Sequence, residues 1–250
     1  MTAQRLDVRF RIVWESHWHA GSGEGDAMFD RRVRRRAESR LPLLPGSQFK
    51  GVLRHHCERL AALLGNEVVS PHHVGRQPPA ELLQQFGPLA RSGLVIDRLF
   101  GSRYQGDCLF VDDALPEEVA THWPAWGHAR TAIDRLTRTA RDRTLFVSEV
   151  VSGQGRALVG QLKARHPAGV LTPDDRGFPH EYALLLAGLL AIESLGGDRS
   201  VGLGRCRIEI PTKAVRWNGT DFRLSEALRS LAEPDWKVQL ELDREGMNQS

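Results

Sequence analysis

Cysteine is scarce in this 250-residue chain, which contains only Cys57, Cys108 and Cys206. An odd number of widely spaced cysteines excludes the disulfide framework of a small secreted domain and indicates a reducing compartment. Long apolar runs are also missing: the longest, residues 182–195, contains Glu193 and is shorter than the ~18–20 residues that a membrane helix needs. The N-terminus lacks the apolar core of a signal peptide. We therefore expect a soluble cytoplasmic protein.

Acidic residues are almost absent between residues 31 and 54. This segment holds one acid, Glu38, although the whole chain has a net charge of only +3. Its basic residues are Arg31, Arg32, Arg34, Arg35, Arg36, Arg40, Lys50 and Arg54. Such clustering indicates a polyanion-binding surface, with a solvated basic loop as the alternative. Residues 31–40 show no apolar face, so we expect a mobile loop or a segment that orders on an acidic partner.

The common nucleotide-binding motifs are missing too. Residues 196–205 are rich in glycine and lie between a predicted helix at 181–195 and a predicted strand at 206–210. They lack the Gly-Lys-Ser/Thr of a P-loop and do not open a helix, as a dinucleotide fingerprint does. Glycines nevertheless let the backbone approach phosphates closely. A phosphate-binding loop is one prediction, and a Gly-rich turn without a ligand is the other.

A second candidate anion site is the start of a predicted helix. Pro45 and Gly46 form a turn, and Ser47 is a good N-cap for a helix that runs to about Leu64. Lys50 and Arg54 lie four residues apart and share a face. Cations near a helix N-terminus oppose the helix dipole, so a bound phosphate would explain them better than helix stability does. The alternative is a capped helix with two solvated cations.

The order of predicted elements favours an α+β fold. Residues 6–14 alternate as a half-buried strand does, with Leu6, Val8 and Phe10 on one face. Further strands are predicted at 108–111 and 157–163, and the flanks of 128–150 also read as strands around a polar, basic middle. This order suggests a ferredoxin-like or RNA-recognition-motif-like core with a projecting hairpin.

Four blocks of the chain resemble the RAMP superfamily of CRISPR systems. They are closest to the repeated backbone subunit of type III effector complexes. The blocks are residues 43–54 (LLPGSQFKGVLR), 99–102 with 110–114 (LFGS and FVDDA), 132–140 with Leu145, Phe146 and Glu149, and the Gly-rich segment 196–205.

The resemblance implies a single RAMP domain over residues 1–250, with a ferredoxin-like palm and inserted loops. It implies an insertion at 66–93, a thumb-like β-hairpin at 132–148 and a polar tail at 245–250. The subunit would stack with further copies of itself and other RAMP-type subunits along a CRISPR RNA guide, and the thumb would interrupt the duplex with complementary target RNA. The residues expected to contact RNA are Ser47, Lys50, Arg54, Arg31, Arg32, Arg34, Arg135, Arg138, Gly197, Arg199, Ser200, Gly202, Gly204 and Arg205.

Catalytic relatives cut the target RNA with an Asp in the loop before the PGS element, which implies endoribonuclease activity. Counting back from Pro45 places Asp30 at that position, and Asp26 is the competing candidate. Asp30 would act as general base or hold a divalent cation such as Mg²⁺ while the target 2′-OH attacks the phosphate. Asp30 could instead only pair with a neighbouring arginine.

Two other functions stay open. One is a non-catalytic scaffold or capping subunit. The other is a CRISPR-RNA processing endonuclease, which needs a His- or Tyr-based acid–base pair. His17 and His19 could assist such chemistry or be structural.

A zinc site is also conceivable, with ligands drawn from Cys57, His55, His56, His72, His73 and Cys108. Cys57 fits the inward face of the predicted helix equally well.

Overall fold

A central strand organises the protein. The computed structural model describes residues 3–66, 68, 95–101, 106–117 and 122–232. Strand β1 spans Gln4–Trp14, and its alternate residues Leu6, Val8, Phe10 and Ile12 are buried, which confirms the predicted pattern. Because β1 has neighbours on both sides, its apolar face becomes the middle of the core.

The main sheet is antiparallel, and its strands lie in the order β2, β6, β1, β8, β9, with β7 also beside β1 and β3 also beside β6. Their bounds are β2 Leu109–Val111, β3 Leu115–Pro116, β6 Ala157–His166, β7 Cys206–Glu209, β8 Val215–Trp217 and β9 Thr220–Asp221. The order β2, β6, β1, β7 combines with helices after β1 and β6 in the β-α-β-β-α-β pattern of a ferredoxin-like unit. The predicted α+β fold class is confirmed.

Four α-helices occur in the described ranges: α1 at Gly46–Leu63, α2 at Val95–Phe100, α3 at His180–Leu190 and α4 at Leu224–Arg229. The prediction that α3 continues to Leu195 is wrong, because Ala191 is its C-cap. The chain turns there so that the N–H of Leu195 can donate to the Gly204 carbonyl at 2.9 Å.

Helices α1 and α3 cover one face of the sheet and pack against each other. Phe10 of β1 stacks on Phe49 of α1 with ring centroids 4.6 Å apart. Gly160 lies directly opposite Phe10 in β6, and a Cβ there would come within 2.5 Å of the Phe10 ring. The glycine therefore makes room for the aromatic pair at the centre of the core.

A second, smaller sheet lies beside the loop that follows β1. Strands β4 (Ala125–Arg130) and β5 (Phe146–Val151) pair in antiparallel fashion, and residues 131–145 connect them. The other edge of β5 meets the loop after β1, through the bridges Arg31–Ser148 and Trp18–Val151. This contact places the basic loop beside the hairpin.

Some predicted regions fall outside the described residues. The tail at 245–250 does so entirely, and of the insertion at 66–93 only residues 66 and 68 are described. None of the helices in the described ranges has the length and apolar character needed to cross a membrane.

Candidate nucleic-acid interface

Asp30 lies at the edge of β5, at the base of the hairpin. Its N–H donates to the carbonyl of Val147 at 2.9 Å, and its Oδ2 accepts the N–H of Val147 at 2.6 Å. The residue is exposed, and nothing in the described part of the chain donates to Oδ1. Four nearby arginines form ion pairs, each with a carboxylate other than that of Asp30: Arg31, Arg32, Arg35 and Arg36. Asp30 therefore has one anchored oxygen and one outward oxygen.

Asp26 is used differently. Its Oδ1 accepts the N–H groups of Met28 and Phe29 at 2.8 Å each, and its Oδ2 pairs with Arg32 at 3.1 Å. The hydrogen bonds from Phe29 and Met28, aided by the Arg32 charge, hold the pKa of Asp26 below its ordinary value. Both oxygens of Asp26 are occupied in a turn. The geometry favours Asp30 over Asp26 as the candidate catalytic residue, and that choice stays a prediction.

The basic loop at residues 31–40 is attached to the protein body. The prediction that it lacks an apolar contact is wrong, because Val33 is buried. The N–H of Arg34 donates to the Ala20 carbonyl at 2.7 Å, and the N–H of Arg36 donates to the Leu41 carbonyl at 2.9 Å. One buried valine suffices here because backbone hydrogen bonds hold the flanking residues.

Glu149 of β5 is the main anchor of this loop. Its side chain is only 6% exposed and accepts from Arg35 at 2.6 Å and from the N–H of Val33 at 2.9 Å. Its backbone carbonyl accepts from Nδ1 of His19 at 2.7 Å. A buried carboxylate needs such partners, because an unpaired one carries a large desolvation cost. Glu149 thus joins the loop after β1, the basic loop and the hairpin.

The Gly-rich loop packs on the segment that contains His17 and His19. The N–H of Gly197 donates to the His19 carbonyl, and the N–H of Gly204 donates to the His17 carbonyl, each at 2.7 Å. Gly204 is buried with φ +79°, and a Cβ would lie 2.0 Å from the Leu195 carbonyl oxygen. Packing alone therefore requires glycine at position 204.

The outer part of the Gly-rich loop is accessible. Arg199, Ser200 and Gly202 are exposed in and after a 3₁₀ turn at Arg199–Val201. Arg205 is also exposed and pairs with Glu15 at 3.6 Å.

Asp198 connects this loop to the hairpin. It has a left-handed backbone with φ 59°, and its carboxylate accepts from Arg130 of β4 and lies 3.9 Å from Nη1 of Arg31. Both guanidinium groups also lie over the ring of Phe146, at 5.0 and 5.1 Å. Sequence reasoning missed Arg130. The sequence feature that could have identified it is its position just before the predicted hairpin, where it alternates with Trp126 and His128 as residues on one face of a strand do.

A family model for the RAMP superfamily matches residues 11–207, which include the end of β1, the basic loop, the hairpin, the Gly-rich loop and the first half of β7. The chain belongs to the RAMP superfamily. No curated protein matches it significantly. The predicted superfamily is confirmed, and membership supports a CRISPR-associated, RNA-binding protein. The role of a type III backbone subunit stays a prediction.

The helix start in this RAMP protein differs from the prediction. Ser47 is not the N-cap: α1 begins at Gly46 after Pro45, and no side chain within the turn caps it. The N–H of Gly46 instead donates to Oδ1 of Asp113 at 2.8 Å. A carboxylate from the loop after β2 thus occupies the site that the sequence predicted for an external anion. Ser47 is exposed.

The two cations of α1 that the sequence predicts for RNA binding are paired within the RAMP protein. Nζ of Lys50 contacts Asp107 at 2.6 Å and the Leu109 carbonyl at 2.8 Å. Arg54 contacts Glu58 at 2.9 Å and the Gly101 carbonyl at 3.1 Å. These contacts account for cations in the first turns of a helix without any ligand, so a role of Lys50 and Arg54 in RNA binding stays a prediction.

The hairpin is longer than the predicted thumb at 132–148. Its paired strands begin at Ala125 and end at Val151, and most of the predicted segment is the connection between them. Residues 132–134 were expected to belong to a strand, but only Ile133 forms an isolated bridge. The Asp134 side chain accepts hydrogen bonds from the N–H groups of the residues that follow it, which turns the chain here, so the strand does not continue.

The tip of the hairpin carries exposed apolar and basic side chains together. Leu136 is 95% exposed, between Arg135 and Arg138, which form no ion pair within the described residues. Oδ1 of Asp134 accepts the N–H of Leu136 at 2.8 Å and that of Thr137 at 3.1 Å. These two bonds lower the pKa of Asp134 and fix the turn. An apolar side chain flanked by free cations suits contact with stacked bases and phosphates.

The predicted divalent cation at Asp30 stays a prediction. The described residues contain no group of three His, Cys, Asp or Glu side chains arranged for a metal. Mg²⁺ is commonly held by one or two carboxylates together with phosphate and water oxygens. The outward oxygen of Asp30 therefore fits a cation shared with RNA rather than one enclosed by protein.

The histidines and cysteines considered for other chemistry have structural contacts. His17 packs edge-on against Trp126 with ring centroids 4.7 Å apart. Cys57 is fully buried in α1, and burial raises the pKa of its thiol. Two further candidate zinc ligands, His72 and His73, lie outside the described residues, so zinc binding stays a prediction.

Proposed function

We propose that this RAMP protein is a repeated backbone subunit of a type III CRISPR effector complex that binds guide RNA and cleaves complementary target RNA at Asp30. The observation that carries the proposal is the carboxylate of Asp30. It is anchored through Oδ2 at the base of the hairpin, and its Oδ1 accepts no hydrogen bond within the described residues. A group with a fixed position and a free lone pair is what a general base requires.

The chemistry is a transesterification within the target strand. The 2′-oxygen attacks the adjacent phosphorus, the bond to the 5′-oxygen breaks, and the products carry a 2′,3′-cyclic phosphate and a 5′-hydroxyl. Oδ1 of Asp30 accepts the proton of the 2′-hydroxyl, and water supplies a proton to the leaving oxygen. A hairpin that distorts the target beside Asp30 supports the in-line alignment that this step needs. A bound Mg²⁺ would stabilise the negative charge that develops on the phosphate.

Guide binding in this proposal depends on cations that the protein leaves free. Arg34, Arg135, Arg138 and Arg199 form no ion pair within the described residues, and all are exposed. Free cations neutralise RNA phosphates without first breaking an internal pair, and such contacts are independent of base sequence.

The first experiment compares Asp30→Asn with Asp26→Asn in complexes assembled with guide RNA. Asparagine at position 30 still offers an oxygen to the N–H of Val147, so the loop is expected to stay in place. Cleavage of complementary RNA should fall by about 10²–10⁴-fold in Asp30→Asn, with target binding unchanged. Asp26→Asn should keep most activity. Full activity in Asp30→Asn, or loss of activity only in the Asp26 variant, would contradict the assignment.

A non-catalytic scaffold is the second candidate, favoured by the bond between Oδ2 of Asp30 and Val147, because this bond alone gives Asp30 a structural role. A cleavage assay on the wild-type complex distinguishes the two functions. Absence of cleavage with and without Mg²⁺, despite normal guide and target binding, would support the scaffold.

A further inference from the structure

Two arginines share one carboxylate between the hairpin and the Gly-rich loop. Arg31 and Arg130 come from different segments, yet both meet Asp198 and both lie over the Phe146 ring. The side chains of Arg130 and Asp198 are largely buried, with 22% and 12% exposure. One negative charge therefore faces two positive charges, and the cluster keeps an excess of positive charge in partly desolvated surroundings.

Buried polar atoms without partners occur within this cluster and at neighbouring positions in the strand register. Ser148 is fully buried between Arg31 and His128 in the strand register, and its Oγ has no partner within the described residues. The same holds for Nδ1 of His128 and Nε of Arg130. Buried polar groups left unpaired are costly and uncommon, and they often mark places where water or a ligand completes the hydrogen bonds.

We propose that Arg31 and Arg130 form a binding site for one RNA backbone phosphate, and that Asp198 occupies this site as a substitute anion in the free protein. A backbone phosphodiester carries one negative charge and two non-bridging oxygens, as a carboxylate does, and can accept hydrogen bonds from both guanidinium groups at once. The stacking of both arginines on Phe146 holds their planes in position for such an anion. The proposal rests on the proposed RNA-binding function and adds Arg130 to the residues expected from the sequence.

The position of Asp198 makes an exchange of anions feasible. It lies in the Gly-rich loop, directly after Gly197 and four residues before Gly202, which has φ +88° and open space where a Cβ would stand. The Arg31 side chain is 57% exposed, whereas that of Arg130 is 22% exposed. RNA must displace the carboxylate to bond Arg130, so Asp198 lowers the affinity for RNA. Removing its charge should therefore strengthen binding, which is the reverse of what loss of a structural ion pair predicts.

The experiment measures the affinity of the full chain for a fluorescein-labelled oligouridylate of about 20 nucleotides at about 100 mM NaCl. Asp198→Asn suits the site, because asparagine tolerates a left-handed backbone. Asp198→Asn should bind this RNA about 3–10-fold more tightly than wild type. Arg130→Gln should bind it about 3–10-fold more weakly, as expected for the loss of one charge-assisted contact. The double variant should lose the gain in affinity that Asp198→Asn shows alone.

Glu38→Gln is the matched control for net charge, because Glu38 pairs with Arg36 at an exposed position of the basic loop. The proposal is overturned if Asp198→Asn gains no more affinity than Glu38→Gln, or if it loses affinity. An unchanged affinity in Arg130→Gln overturns the site independently, even should the Asp198 variant fail to fold. These outcomes leave the cleavage assignment untouched, since the assay involves binding alone.

Discussion

Four aspartates near the proposed interface differ in what donates to them, and this difference decides their roles. Asp26 closes a turn, and Asp113 caps α1. Asp198 pairs with two arginines, whereas Asp30 keeps one oxygen without a described donor. The residue type is the same in all four, so the chemistry at each position comes from its neighbours.

A glycine in the core gives a prediction at the residue scale. A Cβ on Gly188 of α3 would lie 2.4 Å from Sγ of Cys57 in α1. Gly188→Ala should lower the free energy of unfolding by about 1–3 kcal/mol, because the site is already filled. Adding Cys57→Ala should restore part of this loss, since the alanine leaves room for the new methyl group.

Urea unfolding of the two single variants and the double variant measures this coupling, which should be at least about 0.5 kcal/mol. Gly51→Ala is the control: Gly51 lies on the exposed side of α1 with nothing near a Cβ, so alanine there should stabilise the helix. Additive losses at Gly188 and Cys57 would show that the two residues do not compete for space.

At the scale of elements, the basic loop stays beside the hairpin because β5 holds it. The backbone of residues 30 and 31 lies along the edge of β5 that does not pair with β4. The Glu149 side chain adds hydrogen bonds from Val33 and Arg35 of the same loop. Asp30 belongs to this edge, so whatever places the loop also places the candidate catalytic group.

Glu149→Gln tests this attachment. It removes the charge that faces Arg35 while keeping an acceptor for the N–H of Val33. We expect a loss of about 1–3 kcal/mol in unfolding free energy, because the Arg35 charge is left largely buried without its partner. Thermal and urea unfolding measure the loss.

The matched control is Glu38→Gln, which breaks the exposed pair with Arg36, whose side chains are 52% and 75% exposed. This change should cost less than about 0.5 kcal/mol. Equal effects of the two substitutions would mean that Glu149 is not an anchor.

At the scale of the whole molecule, a buried polar network joins the helices to the sheet. His166 of β6 lies 2.9 Å from the Arg98 carbonyl through Nε2 and 3.0 Å from the Tyr182 hydroxyl through Nδ1. Arg98 of α2 in turn pairs with Glu181 of α3 at 2.7 Å, with both side chains buried. Buried charged and polar contacts therefore connect β6, α2 and α3.

This network predicts how stability depends on pH. Burial lowers the pKa of His166, against a smaller opposing effect of its bond to Arg98. The unfolded chain takes up this proton near pH 6.5, whereas the folded protein takes it up only at lower pH. Unfolding free energy should therefore be highest above about pH 6.5 and should fall as the pH drops toward the folded pKa.

His166→Asn should show a shallower decline in unfolding free energy between about pH 7 and 5 than wild type does, whatever its absolute stability. Urea unfolding at several pH values measures both slopes. His56→Asn is a useful comparison, because burial and neighbouring cations also lower the pKa of His56, which is partly exposed. An unchanged slope in His166→Asn would assign the acid sensitivity to other groups.

Local patterns in the sequence were sufficient for several features. Alternation identified β1, and motif blocks pointed to the superfamily that the family model confirms. These features depend on neighbours within a few residues, since the helical and strand periods are local properties of the chain.

Only the tertiary structure decided which carboxylate meets which cation. Glu149 holds Arg35 across 114 positions, and Asp198 meets Arg130 across 68. Asp113 replaces Ser47 at the start of α1. Such pairs follow from strand register and loop packing, which no local pattern encodes, and they determine which groups stay free for RNA. The sequence by itself determined the family and the main elements, whereas the free oxygen of Asp30 and the shared arginines at Asp198 arise only when distant segments come together.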